Sequence, residues 1–178
     1  MNKNNKIEDS LNKIFSSSGY KMVDVSSKET THRKALAVGE IILSSEVIEM
    51  IKQKKMPKGD PLAIAEVSGI NGVKKTSEII PLCHPLPLDH ISIHSEINEA
   101  KNSITVYCLV SANSKTGVEM EALSGVNSAL LAIYDLSKIV EPNLKITDTK
   151  LLIKSGGKKG LWINPDEIPE KIRSALNI

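Results

Sequence analysis

The run His90-Ile91-Ser92-Ile93-His94-Ser95-Glu96-Ile97, followed after residues 98–102 by Ile104-Thr105-Val106-Tyr107-Cys108-Leu109-Val110, decides the fold. Ile91, Ile93 and Ile97 alternate with His90, Ser92, His94 and Glu96. In the second run Ile104, Val106, Cys108 and Val110 alternate with Thr105, Tyr107 and Leu109. Successive strand side chains point to opposite faces, so this period predicts two half-buried strands joined as a hairpin, turning at 98–102.

The same reading extends outward. Val23 and Val25 flank Asp24 in a short extended segment, and Arg33 to Leu43 alternates small and apolar residues as a strand does. Ser44 can cap a short helix reaching about Gln53. Asp60-Pro61 opens another, because the aspartate offers an acceptor at the N-cap and proline suits the first turn; this helix should run to about Ser77. Downstream, a long helix is expected from about Val118 to Val140. Glu141-Pro142 stops it, since the residue before a proline disfavours helical angles. Lys145 to Ile153 reads as a last strand opening into a glycine loop, with a short helix or tail over Ile163 to Ile178. A hairpin between two helices favours an α+β sandwich, an antiparallel sheet with helices packed on one face, over a doubly wound fold.

Composition narrows the function. A net charge of +2 and an aromatic fraction of 3% give neither the basic excess nor the stacking rings of a nucleic-acid reader. The longest uncharged stretch, Ala122 to Tyr134, contains Ser124, Gly125, Asn127 and Ser128 and falls short of the roughly 20 apolar residues that span a bilayer. Residues 1–20 lack the apolar core of a secretion signal. Cys83 and Cys108 form no CxxC pair, so a reduced, cytoplasmic protein is expected.

Several positions set titratable groups beside glycine, proline or apolar residues. Helical spacing puts Lys74 in line with Ala63, Val67 and Ile70, which reads first as a lysine whose stem lies on a core stripe and whose head reaches water. His84, between Cys83 and Pro85, is either a packed imidazole or one that exchanges a proton near neutral pH. Cys83, His84, His90 and His94 raise the question of a metal. Four residues of strand separate His90 from His94 by about 13 Å, too far for one ion with bonds of ~2.1 Å, so no metal is expected.

Glu119 and Glu121, at the start of the long helix, suit its dipole; were the segment extended, both would face one way and could accept from a purine edge. Asp135 and Lys138 stand three residues apart, either as an exposed ion pair or as a proton-transfer couple. The loop Lys154-Ser155-Gly156-Gly157-Lys158-Lys159-Gly160 has the composition of a phosphate cradle without the spacing of a Walker A motif. Lys58-Gly59-Asp60 repeats the theme of a lysine beside helix-terminal amides.

Taken together, Met22-Val23-Asp24-Val25-Ser26, Lys58-Gly59-Asp60, Pro81-Leu82-Cys83-His84-Pro85, Lys115-Thr116-Gly117-Val118-Glu119-Met120-Glu121-Ala122-Leu123, Tyr134-Asp135 and Lys154-Ser155-Gly156-Gly157-Lys158 resemble the cyclic pyranopterin monophosphate synthases, the molybdenum cofactor biosynthesis protein C family. The resemblance covers about residues 22–160. It implies one catalytic ferredoxin-like domain at 21–160, leaving 1–20 as a flexible tail and 161–178 as a C-terminal extension. It further implies an enzyme that rearranges a cyclised GTP, (8S)-3′,8-cyclo-7,8-dihydroguanosine 5′-triphosphate, to cyclic pyranopterin monophosphate with release of pyrophosphate. No cofactor or catalytic metal is implied. A homohexamer, a trimer of dimers with its active site at a subunit interface, is.

On this resemblance Asp135, Lys138 and Lys58 carry catalysis. Leu82, Cys83, His84, Met120, Glu121, Glu119, Arg33, Lys74 and Lys154 contact substrate. The competing readings are a noncatalytic purine nucleotide-binding oligomer, a metal-dependent hydrolase and an RNA-binding module; neither a membrane nor a nucleic acid is expected as a partner.

Overall fold

A computed structural model describes residues 3–15, 19–165 and 168–176. The elements, in chain order, are α1 (Lys3–Phe15), β1 (Thr31–Ile42), α2 (Ser45–Lys52), α3 (Pro61–Lys74), the single turn α4 (Thr76–Ile79), β2 (His90–Asn98), β3 (Ser103–Ser114), α5 (Glu119–Ser137), β4 (Lys145–Ser155), β5 (Trp162–Ile163) and α6 (Glu170–Leu176). The sheet order is β2-β3-β1-β4-β5 and every neighbouring pair is antiparallel. This is the expected ferredoxin-like α+β arrangement. The hairpin pairs from His90↔Ser111 to Asn98↔Ser103 and turns through a short 3-10 segment, Glu99–Lys101.

Both predicted caps form. Ser44 Oγ accepts from the Val47 amide at 3.3 Å, and Asp60 Oδ1 accepts from the Leu62 and Ala63 amides at 3.0 and 3.3 Å. Val23 to Val25, expected as extended, joins no strand, and α5 stops at Ser137. The helix from Asp60 ends at Lys74 because the buried Thr76 hydroxyl donates back to the Gly72 and Val73 carbonyls and the chain re-enters as the separate turn α4. The residues expected as tail include α1, whose apolar residues Ile7, Leu11, Ile14 and Phe15 are exposed.

One sheet face carries Ala35, Ala37, Ile41, Ile104, Val106, Cys108, Val110 and Ala112 into the core, against Ala122, Val126, Ala129, Leu130 and Ile133 of α5. α3 lies along α5 through small residues. Ala65, Gly69, Gly72 and Val73 are its buried side, whereas Ala63, Val67 and Lys74 are exposed. The stripe expected from Ala63, Val67, Ile70 and Lys74 is therefore not the core face: glycines let two backbones approach where larger side chains would hold them apart. A Cβ on Gly125 would sit 2.6 Å from both Cys108 Sγ and Val73 Cγ2. We expect Gly125→Ala to destabilise the fold by about 1–3 kcal/mol through overpacking. A denaturant midpoint equal to that of the unaltered protein would show that α3 and α5 are not so closely fitted.

The other sheet face holds a smaller cluster, Val38, Tyr107 and Leu152, covered in part by Ile172 of α6.

Candidate active site

Helix α5 organises the site because the residues that carry chemistry stand at its two ends. Glu119 opens the helix and Asp135 lies in its last turn, sixteen residues on, or about 24 Å along the axis at ~1.5 Å per residue. α3 runs antiparallel beside it. Lys58, just before α3, therefore reaches Asp135, while Lys74, at the far end of α3, stands near the start of α5.

At the C-terminal end, Lys138 Nζ lies 2.8 Å from Asp135 Oδ1, and Lys58 Nζ lies 3.0 Å from Oδ2 and 3.3 Å from the Asp135 carbonyl. The hydrogen bonds from Lys138 and then Lys58 hold the Asp135 carboxyl below its ordinary range, and the same carboxylate raises the Lys138 ammonium. Asp135 and Lys138 thus each favour the charged form of the other. All three side chains are between 40% and 52% exposed, so this cluster is an open, preassembled surface and not a closed pocket.

At the N-terminal end two recesses adjoin. The larger, about 850 Å³, is lined by Lys28, Arg33, Lys34, Lys115, Lys154, Lys158 and Lys159, with Glu29 and Glu119 as its acids. The smaller, about 310 Å³, is lined by Cys83, His84, Leu86, Met120 and Glu121. Thr116, Gly117 and Glu119 border both. A strongly cationic chamber therefore opens beside a smaller, less charged one, the division an anionic tail and a flat heterocycle require.

Arg33 reaches its place from β1, where Nε donates to the Ser114 carbonyl at 3.4 Å and Nη2 to the Lys115 carbonyl at 3.5 Å. The glycine loop is shaped around it. Gly156 and Gly157 have φ of +99° and +69°, and a Cβ on Gly157 would run into the Arg33 guanidinium. Positive φ and that contact together exclude other residues there. Lys154, the last charged position of β4, is held by Glu119 Oε1 at 3.0 Å. Lys115 Nζ donates to the Ser26 carbonyl at 2.8 Å and so ties the segment carrying Lys28 to the rim.

Arg33, Lys154, Glu119, Met120, Glu121, Cys83 and His84 thus meet within one chain, as do Asp135, Lys138 and Lys58, but the two groups do not meet each other. Leu82 and Lys74 are exposed at the N-terminal end without lining either recess. His94 is engaged elsewhere, stacked on Tyr107 with Nε2 3.0 Å from Glu96. Among the described residues no group of three His, Cys, Asp or Glu is placed to hold a metal ion. Lys28 and Lys34 were not singled out in the sequence, and Lys115 only as the first residue of its motif. Lys28 closely follows the Asp24-Val25-Ser26 motif and Lys115 begins the Thr116 block, so proximity to a motif was the available signal.

Glu121 is the exceptional acid. It is helical, not extended, and only 4% exposed. Burial first, and the nearby Glu119 charge, raise its carboxyl above the ordinary value, its own backbone N–H partly opposing them. A carboxyl so raised makes the folded state bind more protons than the unfolded chain. Stability then falls as pH rises from the unfolded value through the folded one, and stays reduced above it. Glu121→Gln should accordingly melt about 2–4 °C above the parent at pH 8, the gap closing below the ordinary carboxyl range. Equal melting temperatures at pH 8 would contradict the assigned burial cost. Cys83 at the same wall is raised by burial and by Glu121, while burial in the core pushes the Cys108 thiol up to about 12.

Comparison with known proteins matches residues 22–157 to the MoaC family. Among curated relatives, a cyclic pyranopterin monophosphate synthase of Chloroflexus aurantiacus is 43% identical over 145 residues, covering 82% of this chain and 89% of the relative. One from Clostridium perfringens (strain 13) is 48% identical over 139 residues, covering 78% and 88%. One from Heliobacterium modesticaldum is 39% identical over 158 residues, covering 89% and 99%.

Proposed function

This chain belongs to the MoaC family, and we infer from that membership that it is a cyclic pyranopterin monophosphate synthase of molybdenum cofactor biosynthesis. It is a lyase that rearranges the cyclised guanosine triphosphate to cyclic pyranopterin monophosphate and releases pyrophosphate. The observation that carries the reading from family to chemistry is the pair of adjoining recesses at the head of α5, one cationic and one walled by His84, Met120 and Glu121.

In this reading the triphosphate occupies the larger recess, where Arg33 and Lys154 offset charge that builds as pyrophosphate departs; Lys74, outside both recesses of one chain, contacts substrate only in the assembled site. Glu121, Glu119 and the Leu82-Cys83-His84 turn orient the purine-derived ring. Ring opening, pyrazine closure and cyclic phosphate formation each move protons, and Lys138 and Lys58 supply them as ammonium acids with Asp135 setting their position. Because these three stand about 24 Å along α5 from Glu119, one chain cannot bring both groups to a single substrate. In this reading the working site takes the N-terminal end of α5 from one protomer and the C-terminal end from a second, in the homohexamer, a trimer of dimers, that the family resemblance implies.

Cytoplasmic residence follows from the same reading. It is supported by two free cysteines and by the absence, among the described residues, of a helix long and apolar enough to cross a membrane.

The test is incubation with the cyclised triphosphate and mass analysis of the products. Cyclic pyranopterin monophosphate and pyrophosphate in equal amounts are expected; a noncatalytic nucleotide binder would return the substrate intact.

A further inference from the structure

Beyond the residues that match the family, the chain turns back on its own glycine loop. After Gly160 it forms β5, pairing Lys154↔Trp162 and Ile153↔Ile163 with β4. The return is fastened by Asn164, whose amide donates to the Leu152 carbonyl at 2.8 Å and whose side chain donates to the Leu151 carbonyl at 2.9 Å. The glycine loop is thereby closed at both ends as a hairpin. The pairing sets the indole of Trp162 beside its cross-strand neighbour, and Lys154 Nζ lies 5.9 Å from the ring centroid. The same ammonium also meets Glu119 Oε1 at 3.0 Å.

Lysine is a flexible, four-carbon cation, and side-chain freedom must be removed before it can serve as a fixed anion ligand. Here an aromatic face and a carboxylate flank it. Trp162 itself does not line the recess, so it acts on substrate only through Lys154. Glu119 and an incoming phosphate compete for the ammonium, whereas a ring face attracts the cation without consuming the hydrogen bonds that phosphate needs.

We propose that Trp162 is a positioning residue of the active site: it holds Lys154 toward the cationic recess for the substrate phosphates, making the C-terminal return strand part of the binding machinery. This rests on the phosphate-binding reading given above, and the experiment separates the two.

Trp162 is the chain's single tryptophan, so its emission reports on its own surroundings. Inorganic triphosphate added to the unaltered protein should change the indole emission saturably, and should not do so in Lys154→Met. Emission of the unliganded Lys154→Met protein should already differ from that of the parent. In turnover of the cyclised triphosphate, Trp162→Ala should raise KM roughly tenfold with kcat within about twofold, and Trp162→Phe, which keeps a ring face, should recover most of the loss. In the Lys154→Met background Trp162→Ala should cost nothing further. A Trp162→Ala loss that persists in full in that background, or one that falls on kcat and is not rescued by phenylalanine, would overturn the proposal. If the unaltered protein fails to convert the substrate, the proposed function is what fails; the emission difference between the parent and Lys154→Met still judges the Trp162–Lys154 pairing.

Discussion

Replacing Asp135 with asparagine should lower the rate of pterin formation by about 10²–10⁴, the usual worth of a positioned acid–base group. Asparagine keeps the shape of the side chain and removes its charge. Two ammonium groups, Lys58 at 3.0 Å and Lys138 at 2.8 Å, would then face each other with no anion between them. Both would move apart and shed the geometry that the carboxylate imposes. Exposed ion pairs contribute little to stability, so the melting temperature should barely change. Arg33 and Lys154, which hold the triphosphate in this reading, are untouched, so affinity for substrate should also be nearly kept. A collapse in kcat with KM and stability preserved is therefore the expected signature. Near-normal product yield would remove Asp135, and with it the paired lysines, from the mechanism.

Much of this architecture was legible before any coordinates. The alternation through Ile91, Ile93, Ile104 and Val106 located the central hairpin, because a strand with one buried face must repeat every second residue. Ser44 and Asp60-Pro61 located two helix starts, since capping is a local interaction that needs nothing from the rest of the chain. What failed was what depends on distant partners. The inward face of α3 was misjudged because glycine carries no hydrophobic signal; only contact with α5 makes Gly69 and Gly72 the packing side. β5 was missed because two residues show no period and are set in place by the strand opposite.

The site was legible in residue type and less so in assembly. Arg33, His84, Glu119, Glu121 and Lys154 come from four separate segments and line the two adjoining recesses. The distance between Glu119 and Asp135 was already written in the sequence, since both were expected on one helix and sixteen residues of helix are a rigid spacer. The acid–base character of Asp135 and Lys138 was left open by spacing alone. In a single chain they form an ion pair at 2.8 Å, in which each favours the charged form of the other.

That spacing makes an unusual experiment decisive. Asp135→Asn disables the C-terminal end of α5 and His84→Ala the N-terminal end, and each protein alone should be nearly inactive. When the two are coexpressed and assembled at random, half of the pairs are mixed, and each mixed pair contains one site with both ends intact and one with neither. Activity should then recover to about a quarter of the parental level under two-fold pairing. If instead the mixed assemblies remain as inactive as either variant, both ends of the site belong to one chain and the shared-site account is wrong.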